Sequence, residues 1–320
     1  MSKPHVLMPS PMMDLVVKQL DEAFTLHKLW EAEDPEAEIT ALADKIEGIA
    51  TGGKRPVDGE LMSRLPNLKI VANFGVGYDT VDAAWAGEHG IYVTNTPDVL
   101  TEEVADTTLG LLLMTLRQLS ESERYLRAGR WEKEGPFPLT RQTLRDRKVG
   151  ILGLGRIGKA VATRLEAFGS TIVYHGRRKQ EDVAYPFYGD LVEMARDVDI
   201  LISIAPGGDA THHLISTDVL NALGPDGVLI NVGRGSVVDE AALISALQEE
   251  RLFSAGLDVF ENEPHVPAEL IAMERVVLLP HVGSASVHTR GLMGQLLVDN
   301  LKRFFETGKP ITPVAETPLK

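Results

Sequence analysis

The sequence predicts an α/β protein made of doubly wound parallel sheets in two domains. Three observations carry that expectation. The chain has 320 residues, more than one core of ordinary size holds. Two separate stretches alternate short apolar runs with amphipathic ones, as parallel strands joined by helical crossovers do. The second stretch opens on a glycine-spaced turn, "GLGRIG", directly after an apolar strand.

In the first stretch, "HVLM", "FTLHKL", "GIAT", "LKIVANFG" and "IYVTNT" read as buried strands. The segments starting at Pro11, Ala37, Gly59 and Val81 read as the helices between them. From Thr101 a long helical pattern runs through "TEEVADTTLGLLLMTLRQLSESERYLRAGRW", with Thr101 and the acids behind it as the start signal. An irregular arm follows, "WEKEGPFPLTRQTL", in which Trp131 and Phe137 have no periodic partner. Such aromatics either meet a partner surface or fold back on their own domain. The second series comprises "KVGILG", "TIVYHG", "DILISIA", "GVLINVG", "SAGLDV" and "VVLLP". These strands are apolar on both faces, as a sheet covered by helices on each side requires. The chain closes on a helix, "TRGLMGQLLVDNLKRFFETG", and a proline-bearing tail.

Composition narrows the function classes. Hydrophobic residues make up 44% and charged residues 24%, the balance of a soluble globular protein. A formal charge of −14 without a basic run argues against a nucleic-acid surface. No cysteine is present, which excludes disulfides, thiolate metal sites and cysteine nucleophiles. Prolines and an early acid interrupt the N-terminal segment where a signal peptide would need an apolar run. The longest apolar stretch, "LGLLLMTL", falls short of the ~20 residues that span a bilayer. The expectation is a cytoplasmic protein with no membrane or nucleic-acid partner.

Gly153, Gly155 and Gly158 form the G-x-G-x-x-G pattern at a strand-to-helix turn. The first allows the tight turn, the second the approach of a pyrophosphate, the third close packing of helix on strand. The helix start then presents free amides and the positive dipole end to the phosphates. In proteins that prefer NAD an acid about 20 positions on binds the ribose 2′-hydroxyl. Here that strand ends at His175 and Gly176, and Arg177 and Arg178 follow. The missing carboxylate removes repulsion of a 2′-phosphate, and two guanidinium groups suit it, so the expected coenzyme is NADP(H).

Three later strand ends carry Arg234 in "INVGRGSVVDEAAL", Glu263 in "LDVFENEP" and His281 in "LLPHVGSAS". Each alone has an ordinary reading as a turn, loop or capping residue. At successive strand ends, where ligands meet such sheets, they suggest a site. His212 and His213 read as structural; a metal would need further ligands that the sequence does not show, so no metal site is expected.

The set "FGVGYDTVD", "NTPDVLTEEVAD", "GLGRIG", "NVGRGSVVDEAAL", "LDVFENEP" and "LPHVGSAS" resembles, in order and over nearly the whole chain, the D-isomer-specific 2-hydroxyacid dehydrogenase family. It is most similar to the glyoxylate/hydroxypyruvate reductase branch. The resemblance implies two Rossmann/flavodoxin-like domains with a cleft between them. Residues 1–98 and 288–320 would form the substrate domain, and 99–287 the dinucleotide domain with a dimerisation arm at about 120–145. It implies a homodimer, with Trp131 reaching towards the partner's site.

By the same resemblance, His281 is the acid that protonates the carbonyl oxygen, Glu263 pairs with it, and Arg234 holds the carboxylate and polarises the ketone. Val76 and Gly77 would bind the carboxylate through main-chain amides, with Leu100 and Trp131 also on the substrate. Phe137, with those two, would limit substrate size. The coenzyme would follow Gly153, Leu154, Gly155, Arg156, Ile157 and Gly158, then His175, Gly176, Arg177 and Arg178. It would continue along Ala205, Pro206, Val232, Gly233, Arg234, Asp258, His281, Gly283 and Ser284. The implied activity is NADPH-dependent reduction of small 2-oxo acids, glyoxylate and hydroxypyruvate first, to D-2-hydroxy acids. The alternatives are reduction of a bulkier acid such as phenylpyruvate, or a coenzyme-sensing corepressor-like protein.

Overall fold

In the computed structural model, which describes residues 3–53 and 55–319, each alternating stretch becomes a parallel sheet of its own. The chain divides into Met1–Leu100 with Ser286–Lys320 as one unit and Thr101–Ala285 as the other. These junctions lie two residues from those expected.

The first unit runs β1 (His5–Met8), α1 (Asp14–Ala23), β2 (Thr25–Lys28), α2 (Pro35–Leu42), β3 (Ile46–Thr51), α3 (Gly59–Ser63), β4 (Ile70–Asn73), α4 (Ala83–Glu88) and β5 (Tyr92–Thr94). The strand order is β2-β1-β3-β4-β5, all parallel. Aspartates start several of these helices by accepting main-chain N–H bonds: Asp34 from Glu36 and Ala37, Asp58 from Leu61, Asp82 from Trp85. One sheet face packs Leu7, Ile49 and Val71 against α2 and α3 residues such as Ile39 and Met62.

The second unit starts with α5 (Thr101–Leu116), α6 (Leu119–Arg127) and α7 (Arg130–Glu134). The single helix expected from Thr101 is therefore three, broken where Gln118 and Gly129 take positive φ of 49° and 67°. Then come β6 (Lys148–Leu152), α8 (Arg156–Ala167), β7 (Thr171–His175), β8 (Phe187–Tyr188), α9 (Leu191–Asp197), β9 (Ile200–Ser203), α10 (Thr217–Leu223), β10 (Val228–Asn231), α11 (Glu240–Gln248), β11 (Ser254–Leu257), α12 (Ala268–Ala272) and β12 (Val277–Leu278). All six expected strands form, in a seven-stranded parallel sheet ordered β12-β11-β10-β9-β6-β7-β8. The seventh, β8, is a two-residue edge pairing too short to carry an alternation.

The apolar stretch of α5 is core: Leu109, Leu111, Leu112 and Leu116 pack on Val149, Ile151, Ile200 and Ile230. Among the described residues no helix is long and apolar enough to cross a membrane. The final helix, α13 (Val287–Thr307), returns to the first unit, where Leu297, Val298, Leu301 and Phe304 cover Val6, Met8, Ala50 and Ile70. Gly294 permits close approach there, since a Cβ on it would lie 2.3 Å from the Val16 side chain.

Candidate active site

In the second unit the order reverses beside β6, whose neighbours are β7 and β9, and the chemistry-bearing residues follow the carboxyl ends of the strands. Of the three glycines in the turn after β6, Gly153 and Gly158 have no room for a side chain. Gly153 takes φ +96°, and a Cβ on it would come within 3.0 Å of the Ala205 nitrogen. A Cβ on Gly158 would meet the Gly153 carbonyl at 2.4 Å, and one on Gly233 the Ala205 carbonyl at 2.5 Å. Ala205 is thus wedged between the turns after β6 and β10. At Gly155, the N-cap of α8, an added Cβ meets nothing within 4 Å. No side chain caps α8 and no acid sits in its first turn.

His175, at the end of β7, is half-buried; its Nδ1 lies 2.9 Å from the Tyr188 carbonyl and its ring stacks near Phe187. Arg177, Arg178 and Lys179 are exposed and make no ion pair among the described residues. Their loop is nevertheless anchored. Gln180 donates its side-chain amide to the Leu154 carbonyl and its main-chain N–H to the buried Tyr174 hydroxyl, both at 2.7 Å. Lys159 of α8 pairs with Asp182 at 2.5 Å.

The reacting-group side is made of partnered side chains. After β10, buried Asn231 donates to the Arg234 carbonyl at 2.9 Å and accepts from the Gly233 N–H at 3.2 Å, closing the turn that presents Arg234. After β11, Asp258 is 1% exposed and accepts the N–H groups of Val282 at 2.7 Å and Gly283 at 2.8 Å. Burial pushes its carboxyl above the usual range, against the pull of those two amides and of His281. The main-chain N–H of His281 donates to the Asp258 carbonyl at 2.8 Å, holding His281 at φ 53°. Histidine is among the residues that tolerate this left-handed region best.

His281 Nδ1 lies 2.8 Å from Glu263 Oε2, and Glu263 Oε1 accepts the Phe260 N–H at 3.1 Å. Burial alone would raise the Glu263 carboxyl. The hydrogen bond and charge of His281, the Phe260 amide and the Arg234 charge outweigh it, and the carboxyl is held below its ordinary value of 4.5. The arrangement holds an ionised carboxylate against the imidazole of His281.

Set beside known proteins, the chain matches the model of the D-isomer specific 2-hydroxyacid dehydrogenase NAD binding domain over residues 109–283. The chain belongs to the D-isomer specific 2-hydroxyacid dehydrogenase family. It is 47% identical to glyoxylate/hydroxypyruvate reductase A of Arabidopsis thaliana over 309 residues, 97% of this chain and 98% of the relative. It is 48% identical to hydroxyphenylpyruvate reductase of Plectranthus scutellarioides over 310 residues, with the same shares of each chain. Among solved structures it is similar to the NADPH-dependent glyoxylate/hydroxypyruvate reductase of Sinorhizobium meliloti in complex with NADP and malonate. That similarity has a TM-score of 0.95 and 55% identity, covering 100% of this chain and 99% of the other.

A dinucleotide fits the residues this dehydrogenase presents. Helix α8 has no side-chain cap and no acid in its first turn, a Cβ on Gly155 would meet nothing within 4 Å, and β7 ends without an acid, with the exposed Arg177 and Arg178 just beyond it. In the first unit, Asn95 donates to the Val76 carbonyl and Asn73 to the Gly77 carbonyl, both at 2.9 Å. The main-chain N–H groups of Val76 and Gly77 have no partner among the described residues. Leu100 is buried at the end of that unit. Trp131 is 61% exposed on α7, whereas Phe137 folds back edge-on against Tyr125, 5.4 Å between centroids.

Sequence reading overlooked Asn73, Asn95, Asn231 and Gln180, which touch main chain and hold the presenting turns. An asparagine ending an apolar strand, as in "VAN" and "LIN", is the available signal, because a buried amide needs hydrogen-bond partners at a turn. Glu261 was also overlooked: its Oε1 lies 2.7 Å from His213 Nε2.

Proposed function

We propose that the dehydrogenase is an NADPH-dependent reductase of small 2-oxo acids, glyoxylate and hydroxypyruvate among them, forming D-2-hydroxy acids. The observation that carries this reading is the Glu263–His281 pair, 2.8 Å apart and one strand end away from Arg234. The Gly153–Gly158 turn would hold NADPH, with Arg177 and Arg178 taking its 2′-phosphate, and the bound coenzyme would supply the hydride.

Glu263, its carboxyl held below the ordinary value, accepts the Nδ1 proton of His281 and fixes the orientation of the ring. Nε2 then holds the proton that passes to the carbonyl oxygen as negative charge develops there. Arg234 binds the substrate carboxylate and places positive charge beside that oxygen. Asn231 fixes the turn from which it does so. The unpartnered amides of Val76 and Gly77 take the carboxylate's other side. The residues from Ala205 and Pro206 through Val232 and Gly233 to Asp258, Gly283 and Ser284 line the coenzyme. Asp258 acts through the Val282 and Gly283 amides that it orders.

A homodimer belongs to the same proposal. Trp131 and Leu139, 61% and 98% exposed, with Leu119 and Leu126 at 45% and 54%, form the apolar stretch that a partner subunit would cover.

Initial rates with glyoxylate and hydroxypyruvate, each against NADPH and NADH, test the reading. Turnover of either acid with clear preference for NADPH is expected. The 48% identity to the hydroxyphenylpyruvate reductase of Plectranthus scutellarioides favours a second reading, a bulkier aromatic 2-oxo acid. Faster turnover of hydroxyphenylpyruvate than of glyoxylate would select it.

A further inference from the structure

Two adjacent histidines after β9 have no part in the proposed reaction. His212 and His213 follow a short turn at Asp209–Thr211, with rings stacked 3.9 Å apart between centroids. The third group comes from 48 residues away: Glu261, in the loop after β11, has Oε1 2.7 Å from His213 Nε2. One donor atom from each of the three lies within 4.8 Å of the others. Main-chain bonds hold two of them. His213 sits at φ 50° with its N–H donating to the Ser236 carbonyl at 2.8 Å, and the Glu261 N–H donates to the largely buried Glu240 carboxylate at 3.4 Å. His212 is exposed, so its ring can turn out of the stack without disturbing the core.

We infer that His212, His213 and Glu261 form a binding site for a divalent cation of the zinc class. Two imidazole nitrogens and one carboxylate oxygen suit Zn²⁺, Cu²⁺ or Ni²⁺ better than Mg²⁺ or Ca²⁺, which take oxygen ligands. Zinc bonds of about 2.0–2.1 Å place tetrahedral donors about 3.4 Å apart. The 2.7 Å pair and the 4.8 Å limit bracket that spacing, so a modest turn of His212 completes the set. The cation takes the place of the proton shared by His213 and Glu261, and water fills the fourth position on the exposed side. Bound there, it ties the loop after β9 to the loop after β11 while Glu263 remains on His281.

The test is calorimetric titration of the tag-free full chain with zinc chloride. His5 and His27, whose ring nitrogens lie 2.9 Å apart, form another imidazole pair, so the chain carries His5→Gln and His27→Gln as background. One saturable equivalent is expected, weakened about tenfold or more by His212→Ala or by Glu261→Gln. Zinc is also expected to raise the unfolding temperature of the background chain and not that of the variants. Glyoxylate turnover without zinc stays unchanged in His212→Ala. If Glu261→Gln fails to fold, the exposed His212→Ala decides. Absence of saturable binding, or equal affinity with and without His212, overturns the site; the latter places the cation elsewhere, at His281 and Glu263 for example.

Discussion

The coenzyme turn and the reacting-group cluster lie in the same unit, after strands of the same sheet, and are built in opposite ways. Around Gly153–Gly158 the chain works by omission: no Cβ at three positions, no side-chain cap on α8, no acid at the end of β7. Around Arg234, Glu263 and His281 it works by pairing, with each polar group held by another at 2.7–3.2 Å. Binding a dianionic phosphate calls for open space and uncommitted donors. Moving one proton calls for a donor whose orientation is set in advance.

Replacing His281 by alanine is the strongest way to break that contrast. It is expected to lower kcat by about 10²–10⁴-fold, the usual size of a lost acid, while NADPH affinity measured by fluorescence titration stays near the parent value. Parent-like turnover would reject the acid role. Next in size, Arg177→Ala with Arg178→Ala removes charge-assisted hydrogen bonds worth about 1.5–3 kcal/mol, so KM for NADPH rises about 10- to 100-fold. KM for NADH stays put, because it has no 2′-phosphate. An equal rise for both coenzymes would show that the pair merely supports the loop.

The smallest effect is on acid stability. Because the folded-state Glu263 carboxyl is held below 4.5, its ionised form adds stability that is present above that value and lost as pH falls through the lowered one. Buried Asp258 has the opposite sign: its folded-state carboxyl lies above 3.8, so protonation favours the folded chain as pH falls. Urea unfolding across this acid range is expected to show a shallower loss in Glu263→Gln than in the parent. Identical acid limbs would mean that the pairing with His281 does not stabilise the fold.

The sequence by itself determined the strands and the turn. β6, β7, β9, β10 and β11 were legible because an apolar β-branched run bounded by glycine or polar residues has few other places to go. The glycine turn was legible because its steric demand is local: Gly158 must lack a Cβ wherever Gly153 precedes it in that turn. The break after α5 was not, since Gln118 at φ 49° is not marked by a glycine or proline. Neither was the two-residue β8, which exists through its pairing with β7.

The same division separates the residues of the site. Arg234, Glu263 and His281 could be picked out as strand-end residues, yet nothing along the chain showed that Glu263 faces His281 or that Asp258 binds the two amides after it. Those contacts span 18 to 25 residues and depend on β12 lying beside β11. His213 and Glu261 make the point most sharply, 48 residues apart in sequence and 2.7 Å apart in space. Local sterics and periodicity are written into neighbouring residues. Partnership between side chains follows from strand order, which the whole core decides by burying its apolar faces.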